Sequence, residues 1–135
     1  MIAFDTNLLV RLVVADNPEQ VAIIQQLIEQ DSIFISRTVL LETEWVLRSV
    51  YKKSRGDVLY FFKALLDVDN TELEDALAIK HALEWYALGS DFADALHLAV
   101  CGNALMHTFD KKFCKSAREA NLAPPVNVLI SSSIV

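Results

Sequence analysis

Short apolar runs that stop at an acid, next to amphipathic helices, recur along this chain, and no other feature constrains its fold as much. Residues 2–4, Ile-Ala-Phe, end at Asp5, and Leu8, Leu9, Leu12 and Val13 then form a helical stripe. Near the other end, Ala104-Leu105-Met106 reads as a short buried strand that runs through His107, Thr108 and Phe109 to Asp110. Just before it, Asp91 opens a helix whose stripe is Phe92, Ala95, Leu96, Ala99 and Val100. Asp94 lies three residues on, on the same face, where the helix dipole favours a carboxylate. Strands alternating with helices predict an α/β domain with a mainly parallel sheet. In such sheets the ligand crevice lies beyond the carboxyl ends of the strands, which is where Asp5 and Asp110 stand. The strands Ile2–Phe4 and Ala104–Met106 are therefore expected as neighbours in one sheet.

The remaining elements follow in order. Ile2–Phe4 is expected to be buried on both faces. Asp5, Thr6 or Asn7 can cap the helix that starts near Leu8. Asp16-Asn17-Pro18 forms a turn that places Pro at the start of a second helix, whose face is Val21, Ile24, Leu27 and Ile28. Ser32–Ser36 is a strand, and a helix from Thr38 to about Lys52 carries Val39, Val46, Leu47 and Val50, with Glu42 one turn inside it. Arg55-Gly56-Asp57 breaks the chain and caps a helix from Val58 to about Leu66. A short strand is expected within Leu65–Leu73, although Asp67, Asp69 and Asn70 disfavour it. A long helix, Glu72–Leu88, carries Leu73, Leu77, Leu83 and Ala87 and ends at Gly89. A last helix covers Lys111–Ala120, Pro124-Pro125 stops it, Val126–Ile130 forms an edge strand, and Ser131-Ser132-Ser133 opens a tail.

A chain of 135 residues that is 53% apolar suits a single domain with a sizeable core, here residues 1–130 with 131–135 as the tail. Its formal charge of −6 argues against a nonspecific polyanion binder. Taking Asp5, Glu42, Asp94 and Asp110 out of the count leaves fourteen acids against twelve bases, so four acids neutralised by divalent metal would present a far less hostile face to a phosphodiester. Cys101 and Cys114 fall in expected helices and lack zinc-like spacing. They read as free thiols in a reducing cytoplasm, with a Cys101–Cys114 disulfide as the alternative. Asp5 and Arg11 interrupt the N-terminal apolar run, so no signal peptide is expected. No apolar run reaches membrane-spanning length.

Asp5, Glu42, Asp94 and Asp110 stand out as a set. Clustered carboxylates repel one another unless a cation neutralises them, and hard oxygen ligands select Mg²⁺ or Mn²⁺. Such ions activate water and stabilise a phosphodiester transition state. Each acid also has an ordinary explanation. Asp5, Asp91 and Asp110 can be plain helix caps, and Glu42 a solvated helix position. Taken together these explanations fit less well. Glu42 lies among Val39, Leu40, Leu41, Trp45 and Val46, and Asp94 among Phe92, Ala93, Ala95 and Leu96, where an unpaired buried carboxylate would be expensive. Thr6, Asn7 and Thr108 flank the acids and can orient them by hydrogen bonds, or serve as caps and turns. His97, one turn past Asp94, is expected as a packed histidine, with His81 on the surface and His107 in a strand. Arg11, Arg37, Arg48, Lys52, Lys53, Arg55, Lys111 and Lys112 are available for phosphates. Three glycines make no phosphate loop, and no Ser-His-Asp set has a recognisable context.

Four blocks in order, I-A-F-D-T-N at 2–7, S-R-T-V-L-L-E-T-E-W-V-L at 36–47, D-F-A-D-A-L-H-L-A at 91–99 and T-F-D-K-K-F at 108–113, resemble the PIN-domain family, and most closely the VapC-type toxins of prokaryotic toxin–antitoxin modules. Residues 53–90 match in helical character only. The resemblance implies a three-layer α/β/α sandwich around a mainly parallel sheet of about five strands, and a metal-dependent endoribonuclease activity. It places the acidic quartet on Asp5, Glu42, Asp94 and Asp110, with Mg²⁺ or Mn²⁺ as cofactor and Asp91 as an additional acid that binds metal or only caps. Asp5 and Asp94 are expected as the closest ligands. It further implies a small VapB-like antitoxin that blocks the site, a homodimer, and an RNA substrate. The apolar Phe61, Phe62, Leu65 and Leu66 are expected to supply part of a contact patch.

Two other readings stand beside this one. In the first, the chain is a PIN-domain nuclease of RNA processing with no toxin role, which the absence of a small adjacent antitoxin gene would favour. In the second, it is a catalytically silent PIN-like interaction module, against which the presence of all four acids argues.

Overall fold

A computed structural model describes residues 1–131. Ser132 and Ser133 of the expected tail lie outside the described residues. The chain divides into two compact units, Met1–Ala76 and Leu77–Val135.

In the first unit β1 (Ile2–Ala3), β2 (Ile33–Ile35) and β3 (Thr71–Leu73) form a parallel sheet in the order β1-β2-β3. Ile2 is in register with Ile33, and Ile33 with Thr71. The crossovers are helical: α1 (Thr6–Val14) and α2 (Pro18–Gln30), then α3 (Arg37–Ser49) and α4 (Arg55–Leu66). Each starts where a side chain satisfies a free backbone N–H. Asp5 accepts from Leu8 N, Asn17 from Gln20 N with Pro18 at the first position, and Ser36 from Val39 N. Ser54, not the expected Arg55-Gly56-Asp57, caps α4, and Asp57 returns a bond to the Ser54 N–H to complete a capping box. The core gathers Leu9 of α1, Ile24 of α2, Ile33 and Ile35 of β2, Leu40 and Leu47 of α3 and Phe62 of α4.

Three expectations for this unit change. Only Phe4 of residues 2–4 is buried, because β1 is the outer strand of the three and exposes Ala3. On α3 the buried stripe is Leu40, Thr43 and Leu47, so Val50 is exposed and Val39 and Val46 are half-buried. Thr43 sits on the apolar face because its hydroxyl donates to the Val39 carbonyl at 2.7 Å. Phe62 and Leu65 belong to the core and not to a contact patch, while Tyr60 is exposed.

In the second unit α5 begins at the end of the first (Ala76–Ala87) and is followed by α6 (Phe92–Ala99), β4 (His107–Thr108), α7 (Lys115–Glu119) and β5 (Asn127–Val128). Gly89, at φ +105, turns the chain out of α5, with its N–H on Tyr86 O and that of Ser90 on Trp85 O. The core is Ile79, Leu83 and Tyr86 of α5 with Phe92, Leu96 and Leu98 of α6. Leu77, expected on the apolar face of α5, is exposed. The last helix is short because residues 111–114 turn before Cys114, at φ +49, starts α7.

β4 and β5 pair in parallel as a separate two-stranded sheet. The single sheet of about five strands is thus replaced by sheets of three and two, and the strands before Asp5 and Asp110 are not neighbours in one sheet. The expected strand Ala104–Met106 is absent. Gly102, at φ +61, and the bond from Ala104 N to Cys101 O hold a turn there, Leu105 is exposed, and pairing starts only where Asn127 N reaches Met106 O. Cys101 and Cys114 are free thiols, and neither lies inside a helix. No helix among the described residues is long and apolar enough to cross a membrane.

Candidate active site

In the first unit, Asp5, Thr6, Asn7 and Glu42 line one concavity of about 370 Å³ together with Val10, Arg11, Val39, Val46 and Tyr51. β1 delivers Asp5 to the start of α1, where its Oδ1 accepts from Leu8 N at 3.2 Å. Asp5 is therefore a helix cap as well as a pocket acid. Thr6 is buried and donates its hydroxyl to Oε1 of Glu42, joining α1 to α3. Glu42 itself is exposed, as is Trp45 one turn further along α3. Glu42 is therefore not the buried carboxylate its apolar neighbours in sequence suggest: Leu40 and Leu47 turn into the core, while Val39 and Val46 share the concavity with it.

In the second unit, Asp91, Asp94 and Asp110 line a concavity of about 440 Å³ with Gly89, Ser90, Lys112, Lys115 and Ser116. Asp91 is the cap of α6 and accepts from Asp94 N at 3.0 Å. Asp94, in the first turn, is half-buried. Its pKa is raised above 3.8, first by partial burial and then by the negative charges of Asp91 and Asp110, with His97 opposing. Asp110 is exposed just past β4, its Oδ1 accepts from Lys112 N at 2.9 Å, and its own N–H donates to Thr108 Oγ1 at 3.0 Å. Thr108 thus fixes the Asp110 backbone and not its carboxylate.

His97 is exposed, contrary to the packed position expected of it. His81 is on the surface, stacked on Trp85, and His107 lies in β4 with Nδ1 3.0 Å from Leu105 O. Cys114 is buried, and burial raises its pKa while a hydrogen bond with Ser90 opposes the rise. Several bases expected to be available for phosphates are already in ion pairs. Arg11 bonds Asp16 at 3.0 Å, Arg37 bonds Asp75 at 2.7 Å and lies 3.5 Å from Glu74, and Arg48 lies 3.9 Å from Glu44. Sequence reasoning passed over Tyr51, which lines the first concavity, and Lys115, Ser90 and Ser116, which line the second. Tyr51 follows the last turn of its helix, outside any periodic pattern, and Lys115 lies in a turn-rich segment that reads as continuous helix.

The donors present suit a hard divalent cation: they are carboxylate and hydroxyl oxygens, with no thiolate among them. Partial burial is the first cause of the raised Asp94 pKa, and the repulsion from Asp91 and Asp110 that adds to it is of the kind such a cation relieves. Among the described residues no three His, Cys, Asp or Glu side chains already converge as a coordination cage. No curated protein and no solved structure matches the chain. The PIN domain profile matches residues 2–119, which span both units and contain Asp5, Glu42, Asp91, Asp94 and Asp110. On that match the chain belongs to the PIN domain family.

Proposed function

We propose that this protein is a Mg²⁺- or Mn²⁺-dependent endoribonuclease, the toxin of a VapBC-type pair, with Asp5, Glu42, Asp94 and Asp110 as its metal-holding catalytic residues. PIN domains are generally metal-dependent nucleases, and membership implies RNA binding. The observation that carries the proposal is the family match over residues 2–119, a span that contains all four acids. The choice of these four acids rests on the resemblance of the sequence blocks that carry them.

A bound divalent cation would polarise a phosphate and lower the pKa of a water. The chain's own contribution is to hold oxygen ligands in place and to balance charge. The Leu8 N–H steadies the Asp5 carboxylate and the Thr6 hydroxyl steadies that of Glu42, so neither need be reordered when ligand binds. Asp91, tied to the Asp94 backbone, supports the turn that carries Asp94. Lys112 and Lys115 line the same concavity as Asp94 and Asp110 and supply positive charge for a phosphate.

The toxin assignment adds a small antitoxin and a homodimer, in a cytoplasmic setting. Exposed Trp45 and Val50 on and beside α3 and Tyr60 on α4 are among the apolar side chains available for such contacts. The proposal is tested by incubating purified protein with total RNA, with and without Mg²⁺. Cleavage that requires the metal supports it, and cleavage that EDTA leaves unchanged overturns it. Growth arrest on expression, relieved by a small partner captured from native cells, supports the toxin role; a nuclease without growth arrest would be an RNA-processing enzyme.

A further inference from the structure

The concavity in the first unit has a lining that cation binding does not require. A cation needs oxygen ligands, but here Val10, Val39 and Val46 supply apolar surface, Tyr51 an aromatic ring, and Asn7 and Arg11 hydrogen-bonding groups, all beside Asp5 and Glu42. Its volume of about 370 Å³ is near the low end of small-molecule pockets, which start at roughly 300 Å³. Apolar surface, one ring and polar groups together suit a flat heteroaromatic ligand with a polar edge.

We propose that this concavity is a nucleobase subsite, in which one base of the RNA strand stacks on Tyr51 against the valines. The inference rests on the nuclease reading and identifies Tyr51 as a positioning residue for its substrate. Tyr51 is held for that task by its backbone. Its N–H and that of Val50 both donate to Val46 O, at 3.3 and 2.9 Å. Lys52 then turns at φ +55, and Lys53 N closes on Leu47 O at 2.9 Å. The ring is half-buried, so stacking orders few additional rotors. Arg11 is anchored by Asp16 at 3.0 Å, which fixes a guanidinium with further N–H donors at the pocket wall. A base seated here places its strand beside the acids that line the same concavity, so Tyr51 contributes to substrate binding and not to the chemical step.

The test uses the full chain. In an Asp94→Asn background with Mg²⁺, binding of a fluorescent single-stranded RNA oligonucleotide is compared for Tyr51, Tyr51→Phe, Tyr51→Leu and Tyr51→Ala, with a melting curve for each. Tyr51→Phe should bind like Tyr51, whereas Tyr51→Leu and Tyr51→Ala should weaken binding about tenfold or more, the scale of lost base stacking. An oligonucleotide with abasic positions should not distinguish Tyr51 from Tyr51→Leu, which separates base contact from phosphate contact. With Asp94 intact, Tyr51→Leu should raise KM and leave kcat nearly unchanged. If Tyr51→Ala fails to fold, Tyr51→Leu decides. Equal binding by Tyr51→Leu and Tyr51, or discrimination that persists on the abasic strand, overturns the subsite. The nuclease reading fails separately, if protein with Asp94 and Tyr51 intact does not cleave RNA.

Discussion

At the scale of single residues, the acids differ in what the fold asks of them. Asp94 is half-buried near Asp91 and Asp110, and its pKa is raised above 3.8. The folded state therefore binds this proton more tightly than the unfolded chain. The stabilisation is complete below the unfolded pKa and is lost as pH rises through the raised folded value, so ionised Asp94 destabilises the metal-free protein at neutral pH. Asp94→Asn should melt higher than the parent at pH 7 without metal, and the difference should shrink as pH falls toward 3.8, as thermal melts across that range will show. The same variant should lose cleavage by about a hundredfold or more, since even residues behind metal ligands typically account for 10–100-fold. Thr6→Val should cost roughly 1 kcal/mol of stability by chemical denaturation, the scale of one hydrogen bond, and should lower cleavage by a larger factor by releasing Glu42. Glu42 also shows where sequence reasoning fails at this scale. Its neighbours in sequence are apolar, but its side chain is exposed, because position around a helix decides burial and linear neighbourhood does not.

At the scale of elements, the helix starts were the most legible part of the chain. Asp5, one of three candidate caps, and Asp91 cap the helices expected of them, Pro18 opens α2 as expected, and Gly89 closes α5. These signals are local: one side chain and one free N–H settle each of them. The strands were less legible because the apolar run Ala104–Met106 lies in a turn set by Gly102, and the actual strand His107–Thr108 is a polar pair. A two-residue strand carries too few positions for periodicity to register. The candidate site follows the same division. Asp5, Asp91 and Asp94 stand at helix starts that local chemistry announces, whereas Tyr51 lies in a turn that no period marks and Lys115 opens a helix with no side-chain cap to announce it. Gly89→Ala should destabilise by about 1–2 kcal/mol, the cost of a left-handed backbone for a residue with Cβ, as urea unfolding will measure. Ser54→Ala should cost about 1 kcal/mol through loss of the α4 cap and leave cleavage intact.

At the scale of the whole molecule, net charge and ion pairing shape how RNA is met. The chain carries a charge of −6, and Arg11, Arg37 and Arg48 are engaged with carboxylates. With these three arginines paired and the net charge negative, RNA affinity should fall only gently with salt, with a log–log slope of about −2 or shallower, as titrations between low and physiological salt will show. Mg²⁺ should raise the melting temperature by mass action, through about 2.7 kcal/mol at a hundredfold excess over Kd, and by less in Asp5→Asn and Asp94→Asn. The exposure of Asp5, Glu42, Asp91 and Asp110 has an evolutionary consequence. None of the four is packed into the core, and an asparagine can still cap the helices at Asp5 and Asp91. Single-nucleotide changes that silence the chemistry therefore need not unfold the chain. On the proposed toxin role, cells selected to survive the activity should yield escape alleles that are abundant, folded and inert, and the lineage would pass from enzyme to decoy in one step.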